Sequence, residues 1–150
     1  MNKGLWPFAV QWYARPGIEP ACLALQAAGA NVCLLLCTAW LGQRGVSYQA
    51  ERGMALQAEA EHWHEHVIKP LRQVRQQWRS EAVGDPVLQG LREQVKALEL
   101  DAEKHLLERL EQTAAPWPSF QANDLEAWLA SSLEGLDEEA LQAWLSADGV

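Results

Sequence analysis

No stretch of this 150-residue chain stays apolar long enough to cross a bilayer as a helix. The longest strongly apolar run, Val32 to Leu41, is ten residues, whereas a span needs roughly 20. The run reads instead as a helix buried inside a protein. The opening residues, Met1 to Pro7, lack the apolar core and small-residue cleavage site of a secretory leader. Cysteine is scarce: Cys22, Cys33 and Cys37 are the three thiols, all in apolar surroundings. An odd number so placed fits reduced, buried thiols better than a disulfide framework. These absences predict a cytoplasmic protein with no membrane partner.

Positive charge is missing from one end. All 12 Lys and Arg precede Pro116, while seven of the 20 acids follow it. The body is therefore almost neutral and the tail strongly acidic, which disfavours generic attraction to phosphate backbones. No nucleic-acid partner is expected. Also absent are a glycine-rich phosphate loop, a Gly-x-Ser-x-Gly elbow, a His-Glu-x-x-His pair and a Cys-x-x-Cys pair. Phosphoryl-transfer and covalent enzymes are disfavoured, no cofactor is expected, and the balance leans away from an enzyme.

What is present is helical periodicity with clear punctuation. Between Leu5 and Gly45 only Arg15, Glu19 and Arg44 are charged, so this third of the chain is the expected core. Pro7 suits a first helical turn over residues 5–14, and Arg15-Pro16-Gly17 ends it. A second helix begins near Glu19-Pro20 and stops at Gly29; Asn31 then caps a third that ends at Gly45. Leu34, Leu35, Leu36 and Leu41 leave that third helix apolar almost all round, as in a helix buried on several sides. Ser47 is the expected cap of a long segment whose apolar stripe is Leu56, Ala60, Trp63 and Val67. Pro70 predicts a kink or interruption between His66 and Lys69, followed by a helix to about Ser80 with Val67, Leu71, Val74 and Trp78 on one face. Asp85 and Pro86 open the longest helix, whose expected stripe is Val87, Leu91, Val95, Leu98, Ala102 and Leu106.

Two prolines in Ala115-Pro116-Trp117-Pro118 mark a linker, which divides the chain into a helical domain, 1–115, and an acidic appendage, 116–150. The appendage repeats an Ala-Trp-Leu element around Trp128 and Trp144, in two short helices. The predicted fold is thus all-α: a single-domain helical bundle in which short N-terminal helices pack on two long antiparallel helices, with two short C-terminal helices added.

Three groups of residues offer function. Arg72, Arg75 and Arg79 share one helix face, with Lys69 beside them. With Trp128 and Trp144 they form the expected contact surface of a non-enzymatic interaction or regulatory protein, whose partner is an unknown protein or a second copy of the chain. The alternative is a metal-dependent or ligand-binding bundle built on Glu59, His62, His66 and His105. Glu59-x-x-His62 has the spacing found in carboxylate-bridged metal bundles, His62 and His66 share a face, and His64 points elsewhere; no second Glu-x-x-His completes the set. A third option is a small-ligand pocket among Trp6, Trp12, Trp40 and Trp63.

The strings Leu5-Trp6-Pro7-Phe8, Tyr13-Ala14-Arg15-Pro16-Gly17, Asn31-Val32-Cys33-Leu34-Leu35-Leu36 and Ile68-Lys69-Pro70-Leu71-Arg72 come in a fairly specific order. In that order the chain resembles an uncharacterised family of small helical bacterial proteins, a domain of unknown function, over residues 5 to about 112. The resemblance implies a shared helical architecture and no catalytic residue.

Overall fold

The computed structural model describes residues 4–27 and 29–132. Within them the chain forms α1 (Leu5–Tyr13), α2 (Ile18–Ala27), α3 (Val32–Gln43), α4 (Ala50–Trp63), α5 (Lys69–Gln77), α6 (Pro86–Ala114) and α7 (Leu125–Ser132). A π turn, His64–Ile68, joins α4 to α5, and a short 3-10 turn, Glu81–Gly84, precedes α6. The all-α bundle expected from periodicity is what forms.

The helix ends follow their punctuation. Asn31 Oδ1 accepts from the Leu34 N–H at 3.1 Å, and Asp85 Oδ1 accepts from Val87 and Leu88, so two orphan helix starts are capped by side chains. Leu5 N–H donates to the Glu111 carboxylate, so α1 is capped from across the fold by α6. Ser47 is not the cap of α4. The helix begins later, at Ala50, because the Tyr48 N–H is held by Asp124 Oδ2 at 2.8 Å and the Ser47 carbonyl accepts from Arg52.

The centre of the molecule is α3, where every residue from Cys33 to Gly42 is buried. It touches α1, α2, α4, α6 and α7, which is why its apolar residues run all round rather than along one stripe. The two long arms are antiparallel: Glu59 reaches Arg109, Trp63 Nε1 donates to the Ala102 carbonyl at 2.8 Å, and Arg75 reaches Glu99.

The chain then returns from α6 to α3. Phe120 N–H donates to the Gly45 carbonyl, and Val46 pairs with Ser119 in an isolated bridge. Gly45 has φ +74°, and a Cβ there would lie 1.7 Å from the Phe120 carbonyl oxygen, so only glycine fits. Gly42 plays a similar part within α3: a Cβ would stand 2.7 Å from Leu125 Cα, and its absence lets α7 lie close. Trp128 is fully buried in the same core as the N-terminal helices. The sequence boundary at residue 115 therefore does not separate two cores among the described residues. The second C-terminal helix, with Trp144 and most of the acidic tail, lies outside them.

Candidate functional site: a cavity between α1, α2, α3 and α6

One residue too many in the middle of the first arm sets the site. Pro70 has no N–H, and in a regular α-helix its ring would strike the carbonyl four residues back. Here the backbone widens instead, and Lys69 N–H bonds to the His64 carbonyl, five residues back. Each residue beyond the turn is displaced by about 100° relative to the expected phase. Ile68, rather than Val67, is the fully buried residue. Arg72 and Arg75 follow it as part-buried positions, while Val67 and Leu71 of the expected face still pack against the core.

The expected basic face is therefore split. Arg72 Nε donates to Glu99 Oε1 at 2.8 Å and Arg75 Nε to Glu99 Oε2 at 2.6 Å. Gln26 turns its amide oxygen toward the Arg72 guanidinium, and Arg72 Nη2 stands 3.4 Å from Glu103 Oε1. Lys69 stays exposed and pairs with Glu65, and Arg79 is exposed in the turn after α5. Arg72 and Arg75 are thus part-buried ion-pair residues whose guanidinium groups Glu99 engages. Trp128 is fully buried, donating from Nε1 to the Val46 carbonyl at 2.8 Å, edge-on to Tyr48.

The inward row on α6 was equally hard to foresee. Val87, Leu91 and Leu98 are exposed, and Glu99 is buried. The true row runs through Leu88, Arg92, Val95, Glu99, Ala102 and Leu106.

The candidate metal set does not assemble. Glu59 pairs with Arg109, whose guanidinium lies over Trp63, and His105 pairs with Glu108. His62 and His66 do share a face, with ring centroids 4.5 Å apart, but His66 Nδ1 contacts the His62 carbonyl. Among the described residues no three His, Cys, Asp or Glu side chains gather where they could hold a metal ion.

What the fold does create is a cavity of about 510 Å³ beside Arg72. Its walls are apolar: Ala9, Val10 and Trp6 from α1, Leu36 from α3, Ile68 from the π turn and Leu107 from α6. Val10, Tyr13 and Leu100 are exposed, so the cavity opens between α1 and α6. Of the tryptophans expected around a pocket, Trp6 lines this one; Trp12 and Trp40 are core residues and Trp63 packs against α6.

Polar groups also line the cavity: Tyr13, Glu19, Gln26, Asn31, His64, Arg72 and Glu103, with the thiols of Cys22 and Cys33 among them. Burial pushes the Cys22 thiol up to about 12 and raises Cys33 well above its usual value, so both stay protonated. Burial, then the Arg72 charge, lowers His64, which keeps its imidazole neutral. Burial, then repulsion from Glu99, holds Glu103 above the usual carboxylate range, beyond what Arg72 offsets. Glu99 goes the other way: burial would raise it, but the hydrogen bonds from Arg75 and Arg72 win and hold it low.

Sequence reasoning missed Glu103, Glu19 and His64 as neighbours. They lie on three different elements, and their only sequence signal is polarity close to an apolar stripe.

No helix among the described residues is long and apolar enough to cross a membrane. No curated protein and no solved structure matches the chain. A family model does match it, over residues 4–110, which include α1 to α5 and all but the end of α6, and so every residue of the cavity. The chain belongs to that family, the proteins of unknown function called DUF2390.

Proposed function

We propose that this protein binds a small, mainly apolar organic molecule in the cavity beside Arg72, and that it does so as a non-enzymatic protein of the cytoplasm. The supporting observation is the cavity itself: about 510 Å³, walled by α1, α2, α3 and α6, with ionisable groups of altered pKa among its lining residues. A preformed apolar space with a few convergent polar groups is the usual form of a small-molecule site. Reduced, buried Cys22, Cys33 and Cys37 fit the cytoplasmic placement.

The same observations bear on the interaction reading. With Arg72 and Arg75 engaged by Glu99 and Trp128 buried, Lys69 and Arg79 are the described members of that surface still exposed. The test is a thermal-shift screen of the full chain against small amphipathic molecules of both charges and none, repeated on Val10→Trp, which puts an indole across the mouth. Stabilisation by one chemical class that the Val10→Trp variant abolishes supports the reading. Stabilisation that survives the blocked mouth, or none from any class, overturns it.

A further inference from the structure

The reading of the cavity as a ligand site can be taken one step further, to the charge of what it holds. Two cationic groups come near, and neither is available. Arg72 spends its guanidinium on Glu99 and Gln26, reaching Glu103 at only 3.4 Å. Lys104 lies over the Trp6 ring at 5.2 Å, in a shallow hollow outside the cavity. His64 is neutral, as are the thiols of Cys22 and Cys33.

The charges left facing the space are carboxylates. Glu19, from α2, makes no ion pair among the described residues. Glu103, from α6, has that one long contact from Arg72, and its Oε2 receives no hydrogen bond among the described residues. The phenol of Tyr13 lies in the same environment: it is raised by burial first, then by Cys22, Glu19 and Glu103.

An anionic ligand would have to displace Glu103 or Gln26 from Arg72 and would meet two carboxylates. A cation displaces nothing and adds a positive group beside Glu103, which Arg72 reaches through one oxygen at 3.4 Å. Tyr13 offers aromatic surface at the mouth, which also favours a positive group.

We infer that the cavity takes an organic monocation, an amine on an apolar body, with the ammonium between Glu103 and Glu19 and the body against Trp6, Val10, Leu36 and Leu107. This rests on the ligand-site reading above. The two carboxylates set the sign of the ligand, and the apolar walls set its size.

The test compares three probes of nearly one shape: tryptamine, tryptophol and indoleacetate, titrated by calorimetry into the full chain at neutral pH. Tryptamine is expected to bind about tenfold tighter than tryptophol, the effect of one part-buried charge pair, with indoleacetate weakest. Glu19→Gln, at an exposed position that does not endanger folding, and Glu103→Gln should each reduce that preference and leave tryptophol unchanged. Tryptamine binding no tighter than tryptophol overturns the inference, as does a preference that survives both substitutions. Tryptophol binding that Val10→Trp abolishes, without any preference for the amine, leaves the cavity reading standing while its charge assignment fails.

Discussion

Arg75 donates from Nε to Glu99 Oε2 at 2.6 Å, while Arg72 holds the other oxygen of the same carboxylate at 2.8 Å, so one acid on α6 fastens two bases on α5. The Glu99 side chain is 8% exposed, and the arginines are 22% and 17% exposed. Water therefore screens this cluster far less than it does a surface pair. Glu99→Ala strands two guanidinium groups and is expected to cost about 3 kcal/mol. Urea unfolding followed by tryptophan fluorescence measures it. A loss below about 0.5 kcal/mol would show the cluster to be no more than a surface ion pair.

That cluster also shows what the sequence could and could not disclose. Pro16-Gly17, Gly29, Asn31, Gly45 and Asp85-Pro86 mark the boundaries, because each acts through its own backbone or cap, and the helices begin or end near them. Faces are different, since they depend on unbroken phase. Pro70 signals an interruption, but not that the interruption adds one residue to the turn, and that residue turns Arg72 and Arg75 inward. On α6, a row passing through Arg92 and Glu99 does not look like a buried stripe until their partners are known. The cavity was less legible still. Its ionisable groups come from several elements, and no local pattern links Glu19, His64 and Glu103.

Acid should act on the two neighbouring carboxyls in opposite senses. Glu99 titrates below its unfolded value, so its contribution to stability is present above the ordinary carboxylate pKa and is lost as pH falls through the lowered one. Glu103 titrates above its unfolded value; its contribution is complete below the ordinary pKa and is lost as pH rises through the raised one. At neutral pH Glu103 is therefore a liability. Glu103→Gln is expected to melt higher than the parent at neutral pH, with the difference closing as the solution is acidified below the ordinary carboxylate range. Thermal melts across that range check it, and a gap that widens on acidification would contradict the assignment.

Trp128 is expected to be among the most costly side chains to remove. It is fully buried, donates to the Val46 carbonyl, meets Tyr48 edge-on at 5.0 Å and stacks with Trp117 at 6.1 Å. Truncating a buried tryptophan costs about 3–5 kcal/mol, and Trp128→Ala also leaves the Val46 carbonyl without its donor. Denaturant unfolding is the measurement. If Trp128→Ala instead leaves the midpoint unchanged, α7 does not pack on α3 in solution.

Gly45 offers a backbone test of the same return. With φ +74° and the Phe120 carbonyl oxygen where a Cβ would stand, Gly45→Ala must break the Phe120 N–H bond to Gly45 or distort the turn. A loss of about 2–4 kcal/mol is expected. Gly84 is the control, because nothing lies within 4 Å of its Cβ position and its φ is not positive. Gly84→Ala should change the unfolding midpoint little, and equal losses at the two positions would remove the steric explanation.

The π turn makes the last expectation. If its single extra residue is what brings Arg72 and Arg75 round to Glu99, then removing one residue restores the regular phase and keeps the same faces inward. In the shortened helix Ile68 would follow Trp63 at the spacing first expected of Val67, and both arginines would fall into line behind it. Pro70 would then stand inside a regular helix, where its ring is not tolerated, so the deletion has to be combined with Pro70→Ala. Deleting His66, which is exposed and bonded only within its own turn, together with Pro70→Ala is expected to give a folded protein at least as stable as the parent. In that background Glu99→Ala should still cost about 3 kcal/mol. Pro70→Ala alone should change stability by less than about 1 kcal/mol, since Ile68 and the arginine pairs hold the turn whether or not an N–H returns. A shortened chain that folds but no longer feels Glu99→Ala would mean that the turn does more than set the phase of α5.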